Sequence, residues 1–255
     1  MRWLRTCLVA LLTLGVTAPV GAERLVSVVS DKVVSIDSTF SGETMTLFGN
    51  IEPDLDSGDH YVEGPFDVIV VIQGPAQDRV TRRKTRQLGV WLNTEQLAFK
   101  SIPSFFWVLA SDELTDIASD ELLTMEGILP ETRPQLTVVQ GSGDPQTFGT
   151  ELVRLMTEAG LYGVDPRGVH FQSDTLYSAQ VALPADVPNG NFLARTYLFK
   201  NGEIASMRAE GFSVRKTGFE QFLNLSARQY PWAYGFACVI VAIFTGWLGG
   251  VVFRR

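Results

Sequence analysis

Apolar and polar positions alternate along the first part of the chain, change period twice, and end in one unbroken apolar run. Thr44, Thr46 and Phe48 alternate with Met45, Leu47 and Gly49, the two-residue repeat of a half-buried strand. Leu25–Val29, Lys32–Ile36, Glu43–Ile51, Phe66–Gln73, Lys84–Leu92 and Phe105–Leu109 read as strands. They are rich in β-branched and aromatic residues, and Ser41-Gly42, Asp56-Ser57-Gly58, Gly74-Pro75 and Pro103 turn the chain between them. Phe66–Ile72 is nearly continuous apolar, as a central strand covered on both faces requires. From Ser111 the period lengthens. Leu114, Ile117, Ala118, Leu122 and Met125 share a helical face, with Ser111 as cap and Gly127 as stop. A second helix opens on Asp144 and Pro145, repeats apolar residues at Phe148, Leu152, Leu155, Met156 and Ala159, and stops at Gly160. After Asp165-Pro166 the strand pattern returns at Val169–Phe171, Leu176–Leu183, Asn191–Phe199, Glu203–Glu210 and Gly211–Arg215. Asn201-Gly202 is the strongest hairpin signal in the chain.

These elements predict a mainly β fold with a helical insert. Two β-sandwich-like units, 23–110 and 166–217, are joined by a helical connection over 111–165. The antibody-type cysteine–tryptophan signature is missing, so the sandwich is inferred without a strand order. Residues 218–230 form an amphipathic juxtamembrane segment around Phe219, Phe222, Leu223 and Tyr230, and 231–253 reads as a transmembrane helix. Ala233–Phe253 holds no charge and no proline, and at about 1.5 Å per residue it is roughly 30 Å long, enough to cross a bilayer. Arg254 and Arg255 form a short tail whose positive charge favours the cytoplasmic side, with Tyr230, Trp232 and Tyr234 at the opposite interface. At the other end, Arg2 and Arg5, the apolar stretch Cys7–Val16 and the small residues Val20-Gly21-Ala22 follow the order of a secretory signal peptide over 1–22. Together the two ends predict a single-pass protein with an exported ectodomain.

Charge and chemistry then narrow the function. Lys and Arg number 21 against 28 Asp and Glu, and setting aside the four terminal arginines deepens the acidic excess. Such an ectodomain is a poor match for nucleic acid or for an anionic membrane surface. The two cysteines, Cys7 and Cys238, lie in the signal and in the spanning helix, so the ectodomain is expected to hold together without a disulfide. His60 sits in an acidic loop, Glu52–Glu63, but counting from Asp54 an EF-hand would need its glycine where Asp59 stands. Gln140-Gly141-Ser142-Gly143 precedes a helix, yet a dinucleotide fingerprint would want glycine at Gln146, and Asp144 already occupies the anion position. His170 beside Phe171 reads as a strand histidine. No nucleophile–base set emerges, so the expectation is a non-enzyme without cofactor or metal. One cluster departs from the acidic background: Arg79, Arg82, Arg83, Lys84 and Arg86, leading into Trp91 and Asn93. On a strand, Arg82, Lys84 and Arg86 share a face. They fit either a comb that meets an anion or a partner, or an edge strand guarded by charge.

Several segments also carry a family resemblance. Phe40–Ile51, Asp67–Pro75, Arg82-Arg83-Lys84 with Gly89-Val90-Trp91-Leu92-Asn93, Ile102-Pro103-Ser104-Phe105, Gly160-Leu161-Tyr162, Leu183–Gly190 and Gly235–Arg255 resemble a family of transmembrane proteins of alphaproteobacteria. The resemblance spans nearly the whole mature chain and carries over no catalytic residues. It implies the bacterial inner membrane, with the ectodomain in the periplasm and the C-terminus cytoplasmic. Because such genes tend to stand beside permeases of the sulfite/sulfonate exporter type, it also implies an inner-membrane permease as partner. The expected function is an accessory or interaction subunit of a membrane transport system, with Arg82, Lys84, Arg86, Trp91 and Asn93 as the partner- or anion-binding residues. The alternative is a periplasmic sensor or binding module for an anionic solute, its pocket between the two β units. The oligomeric state is left open.

Overall fold

The computed structural model describes residues 23–36, 42–53, 62, 64–216, 223 and 226–252. The expected signal peptide, most of the acidic loop with His60, Phe219 and Phe222, and the Arg254-Arg255 tail lie outside the described residues.

Thirteen strands dominate the described chain: β1 Arg24–Val29, β2 Val33–Ile36, β3 Glu43–Glu52, β4 Asp67–Gln73, β5 Ala76–Gln87, β6 Val90–Pro103, β7 Phe106–Ala110, β8 Val139–Ser142, β9 Tyr162–Asp165, β10 Val169–Phe171, β11 Leu176–Leu183, β12 Gly190–Lys200 and β13 Glu203–Lys216. Among the described residues the α-helices are α1 Leu114–Ile117, α2 Asp120–Met125 and α3 Pro145–Glu158, which lie between strands, and α4 Pro231–Val252, which follows the last one. The fold is mainly β with a helical insert and one C-terminal apolar helix, as the periodicity predicts.

The sheets, however, run across the sequence boundaries at 110 and 166. One antiparallel sheet has the order β1-β3-β11-β10, and a six-stranded sheet has the order β2-β13-β12-β4-β7-β9. β3 pairs with β11 from Leu176↔Asn50 to Leu183↔Glu43, and β4 pairs with β12 from Leu193↔Gln73 to Phe199↔Asp67. Strands from both halves of the chain therefore share each sheet. Their apolar faces contribute to one core cluster that runs from Leu25 to Val214. β4 reads VIVVI between its polar ends and is buried throughout that run, because both faces of its sheet are covered. Gly49 is needed for close approach. It lies directly opposite Tyr177, and a Cβ at Gly49 would overlap the Tyr177 ring and hydroxyl.

The helical insert differs from its sequence reading. Ser111 does not cap a helix. Its hydroxyl donates to Asp67 Oδ1 (3.0 Å) and accepts from Val68 N (3.1 Å), tying the end of β7 to β4. The expected helix over 111–127 is two short ones, α1 and α2, split where Ala118 adopts an extended backbone. Ser119 then caps α2, accepting from Leu122 N at 3.3 Å. The hydroxyl competes for the backbone and starts a new helix in place of continuing the old one. α3 keeps its predicted ends. Asp144 Oδ2 accepts from Thr147 N at 2.8 Å, Pro145 takes the first position, and Gly160 follows at φ 69°.

α4 stands apart in character. Its spanning window, Pro231–Val251, has a mean hydropathy of 1.8 and no burial inside the protein. Phe236, Ile243, Phe244 and Trp247 project from it with more than half their surface free. An apolar surface of that extent is stable only in lipid, and about 1.5 Å per residue makes the helix long enough to cross a bilayer. The protein is a membrane protein, with one candidate span among the described residues, near its C-terminus.

Candidate functional site

The basic cluster belongs to the longest hairpin in the fold. β5 and β6 pair from Ala76↔Pro103 out to Gln87↔Val90, with Leu88 and Gly89 at the turn. The strand expected over Lys84–Leu92 is therefore folded back on itself at its middle. Leu-Gly is a weak turn signal, because a side chain at the first central position must adopt positive φ. Leu88 does so, at φ 49°, followed by Gly89 at φ 85°.

The register gathers the candidate residues. Arg86 stands opposite Trp91, Lys84 opposite Asn93, and Arg82 opposite Gln96. Directly opposed residues of an antiparallel pair share a face, so all five candidates lie on one side of the hairpin. Below Asn93 the ladder carries a bulge. Between the pairs Arg83↔Glu95 and Lys84↔Asn93, Thr94 is an extra residue on β6, and it resets which side chains face outward. Thr94 and Thr85 meet on the opposite face, where Thr85 Oγ1 donates to Thr94 Oγ1 at 3.3 Å.

That opposite face is the packed one. Thr81 is buried and donates to Leu97 O at 3.2 Å, and Phe99 is fully buried. Arg83 pairs with Glu95 at 3.0 Å and places its guanidinium 5.1 Å from the centre of the Phe148 ring on α3. Of the five clustered cations, Arg79 and Arg83 thus point inward with the packed face. Arg82, Lys84 and Arg86 point outward, and among the described residues no carboxylate lies within 4 Å of them.

At the tip the apolar residues are uncovered. Leu88 is fully exposed, and Val90, Trp91 and Leu92 keep roughly half or more of their surface free (59 %, 65 % and 48 %). Trp91 shares its face with the cations Arg82, Lys84 and Arg86, while Val90 and Leu92, opposite Gln87 and Thr85, are exposed on the other face. The turn thus presents apolar side chains on both sides and an aromatic–cationic contact surface on one. Sequence reading found the cations and Trp91. It missed Leu88, whose signal was a bulky residue directly before a glycine in a polar stretch.

The other candidate chemistries are placed as follows. Gln140-Gly141-Ser142 belongs largely to β8, paired with Gln96–Ala98 of β6, and Thr147 holds the Asp144 carboxyl below its ordinary range by hydrogen bonding. His170 lies exposed on β10 opposite Ser178. Among the described residues no three His, Cys, Asp or Glu side chains converge as a metal site. A second cationic position is Arg133, whose guanidinium lies 4.2 Å from the centre of the Phe106 ring and donates to Gly127 O. Burial, and then the nearby Arg195, push its pKa down.

The family model described as "Putative transmembrane protein (Alph_Pro_TM)" matches residues 24–255. No curated protein matches the chain.

Proposed function

Because the chain belongs to this alphaproteobacterial transmembrane family, we propose that it is a single-pass inner-membrane protein with a periplasmic β-rich ectodomain. It acts as a non-enzymatic accessory subunit of a membrane transport system, with an inner-membrane permease as its partner. The observation that carries the reading is the β5–β6 tip. Leu88, Val90, Trp91 and Leu92 are held out of the core around the turn, and Trp91 shares its face with Arg82, Lys84 and Arg86, which have no carboxylate within 4 Å among the described residues. Exposed tryptophan and arginine are the side chains that most often dominate binding at protein interfaces. The orientation follows from the basic C-terminal residues.

The test is a photo-crosslinking side chain at position 91 of the full-length protein in intact membranes, followed by mass spectrometry. A permease crosslinked in stoichiometric amount, and lost on charge reversal of Arg82, Lys84 and Arg86, supports the reading. Recovery of the protein alone refutes it. A second reading, a module that senses an anionic solute, is favoured by the same three unpaired cations. It requires that a small anion give calorimetric heat with the wild-type protein and none with the charge-reversed variant.

A further inference from the structure

A second surface lies beside the hairpin's base. β5 is an edge of the three-stranded sheet β5-β6-β8. Between it and α3 runs a groove of about 640 Å³, within the range of roughly 300–1,000 Å³ that ligand sites occupy. Five consecutive residues, Arg79 to Arg83, line one wall. Consecutive strand residues point to opposite faces, so all five can line one groove only if it runs along the strand's edge. On an edge strand, alternate backbone N–H and C=O groups point away from the sheet and await a partner. The other wall is the α3 face from Thr147 to Met156, with Phe148, Leu152, Leu155 and Met156 as its apolar part. That stretch of helix is about 14 Å long and the strand segment about 13 Å, so the walls match in length.

The charges along the rim are unequal in use. Arg83 is engaged by Glu95, and Arg154 by Glu151 (2.8 Å) and Glu158 (2.5 Å). Arg79 and Arg82 have no carboxylate within 4 Å among the described residues, and the Arg79 Nε is buried with no hydrogen-bond partner. A guanidinium with a buried, unpaired nitrogen is costly to leave without a counter-charge, and a carboxylate entering the groove that Arg79 lines would supply one.

We propose that this groove takes an extended peptide segment of a partner protein, which adds to β5 as a fourth strand. Its apolar side chains face Phe148, Leu152 and Leu155, and its acidic side chains reach Arg79 and Arg82. An open strand edge beside an apolar helix supplies main-chain hydrogen bonds for affinity and alternate side-chain pockets for selectivity. The inference shares Arg82 with the proposed partner surface but depends neither on the apolar hairpin tip nor on the identity of the transport partner.

The test uses the full-length protein in lipid nanodiscs and a display library of random dodecapeptides. Selected peptides are expected to alternate apolar and acidic residues. Leu155→Glu, a half-exposed position on the helix wall, should weaken them roughly tenfold, and so should methylating alternate backbone nitrogens of the peptide, because each removed donor breaks a strand hydrogen bond. Equal binding of the methylated peptide would show a purely ionic contact and overturn the proposal, as would a library that yields no enriched peptide. A dimer in sedimentation that Leu155→Glu abolishes, with no peptide captured, would assign the groove to a second copy and likewise overturn it.

Discussion

The tip of the β5–β6 hairpin breaks a local rule, and that can be measured. Leu88 holds φ 49°, a conformation that costs an ordinary residue roughly 1–2 kcal/mol and that asparagine or glycine tolerates far better. Its side chain is fully exposed, so removing it forfeits no burial. Leu88→Asn would create the Asn-Gly pair that two-residue hairpins prefer. Relief of part of the backbone cost should stabilise the hairpin by about 0.5–1 kcal/mol. The hairpin tip opens locally, without unfolding the core, so the assay is hydrogen exchange of amides in β5 and β6 between Lys84 and Leu92. A gain of that size slows local opening about two- to fivefold. Partner crosslinking through position 91 should fall at the same time, because a rigid polar turn has replaced an exposed apolar contact. Exchange that is unchanged or faster in Leu88→Asn would refute the reasoning, for it would mean that Leu88 is held by packing and not tolerated for contact.

Three further outcomes follow from the geometry. Gly49→Ala should destabilise the ectodomain by about 2 kcal/mol or more, read as a lower urea midpoint, because the new methyl group collides with Tyr177 in a packed core. Arg82, Lys84 and Arg86 changed together to glutamate should leave thermal stability nearly unchanged, since they are exposed and unpaired, while abolishing partner capture; a large loss of stability would show that the comb is structural. The Asp144 cap has a pKa held below its ordinary value, so its stabilisation is present above the usual aspartate range and fades as pH falls through the lowered value. The melting temperature of Asp144→Asn should therefore lie below wild type at neutral pH, with the difference shrinking in acid; a constant difference at all pH values would contradict the cap.

Elements governed by near neighbours were legible in the chain itself. Asp144, Pro145 and Gly160 bound α3 because capping acts within one turn. Asn201-Gly202 makes the β12–β13 turn, with both residues at positive φ, because the turn's twist matches that of its strands. α4 follows from composition alone, since lipid is its solvent and no partner strand need be found. The cations of the site and Trp91 could likewise be named before their positions were known.

Their arrangement was decided by contacts between distant parts of the chain. That β3 pairs with β11 and β4 with β12 depends on which apolar faces can close over one another, and local alternation carries no record of the partner. Had Lys84–Leu92 been one strand, Arg86 and Trp91 would lie on opposite faces, being an odd number of residues apart. Reversal at Leu88-Gly89 puts them directly opposite each other, on the same face. Arg79 and Arg83 are chemically no different from Arg82, yet they face inward because Phe99 and α3 need that side of the sheet covered. Residue chemistry is a property of the sequence; which residues act together is set by register, and register is a property of the folded sheet.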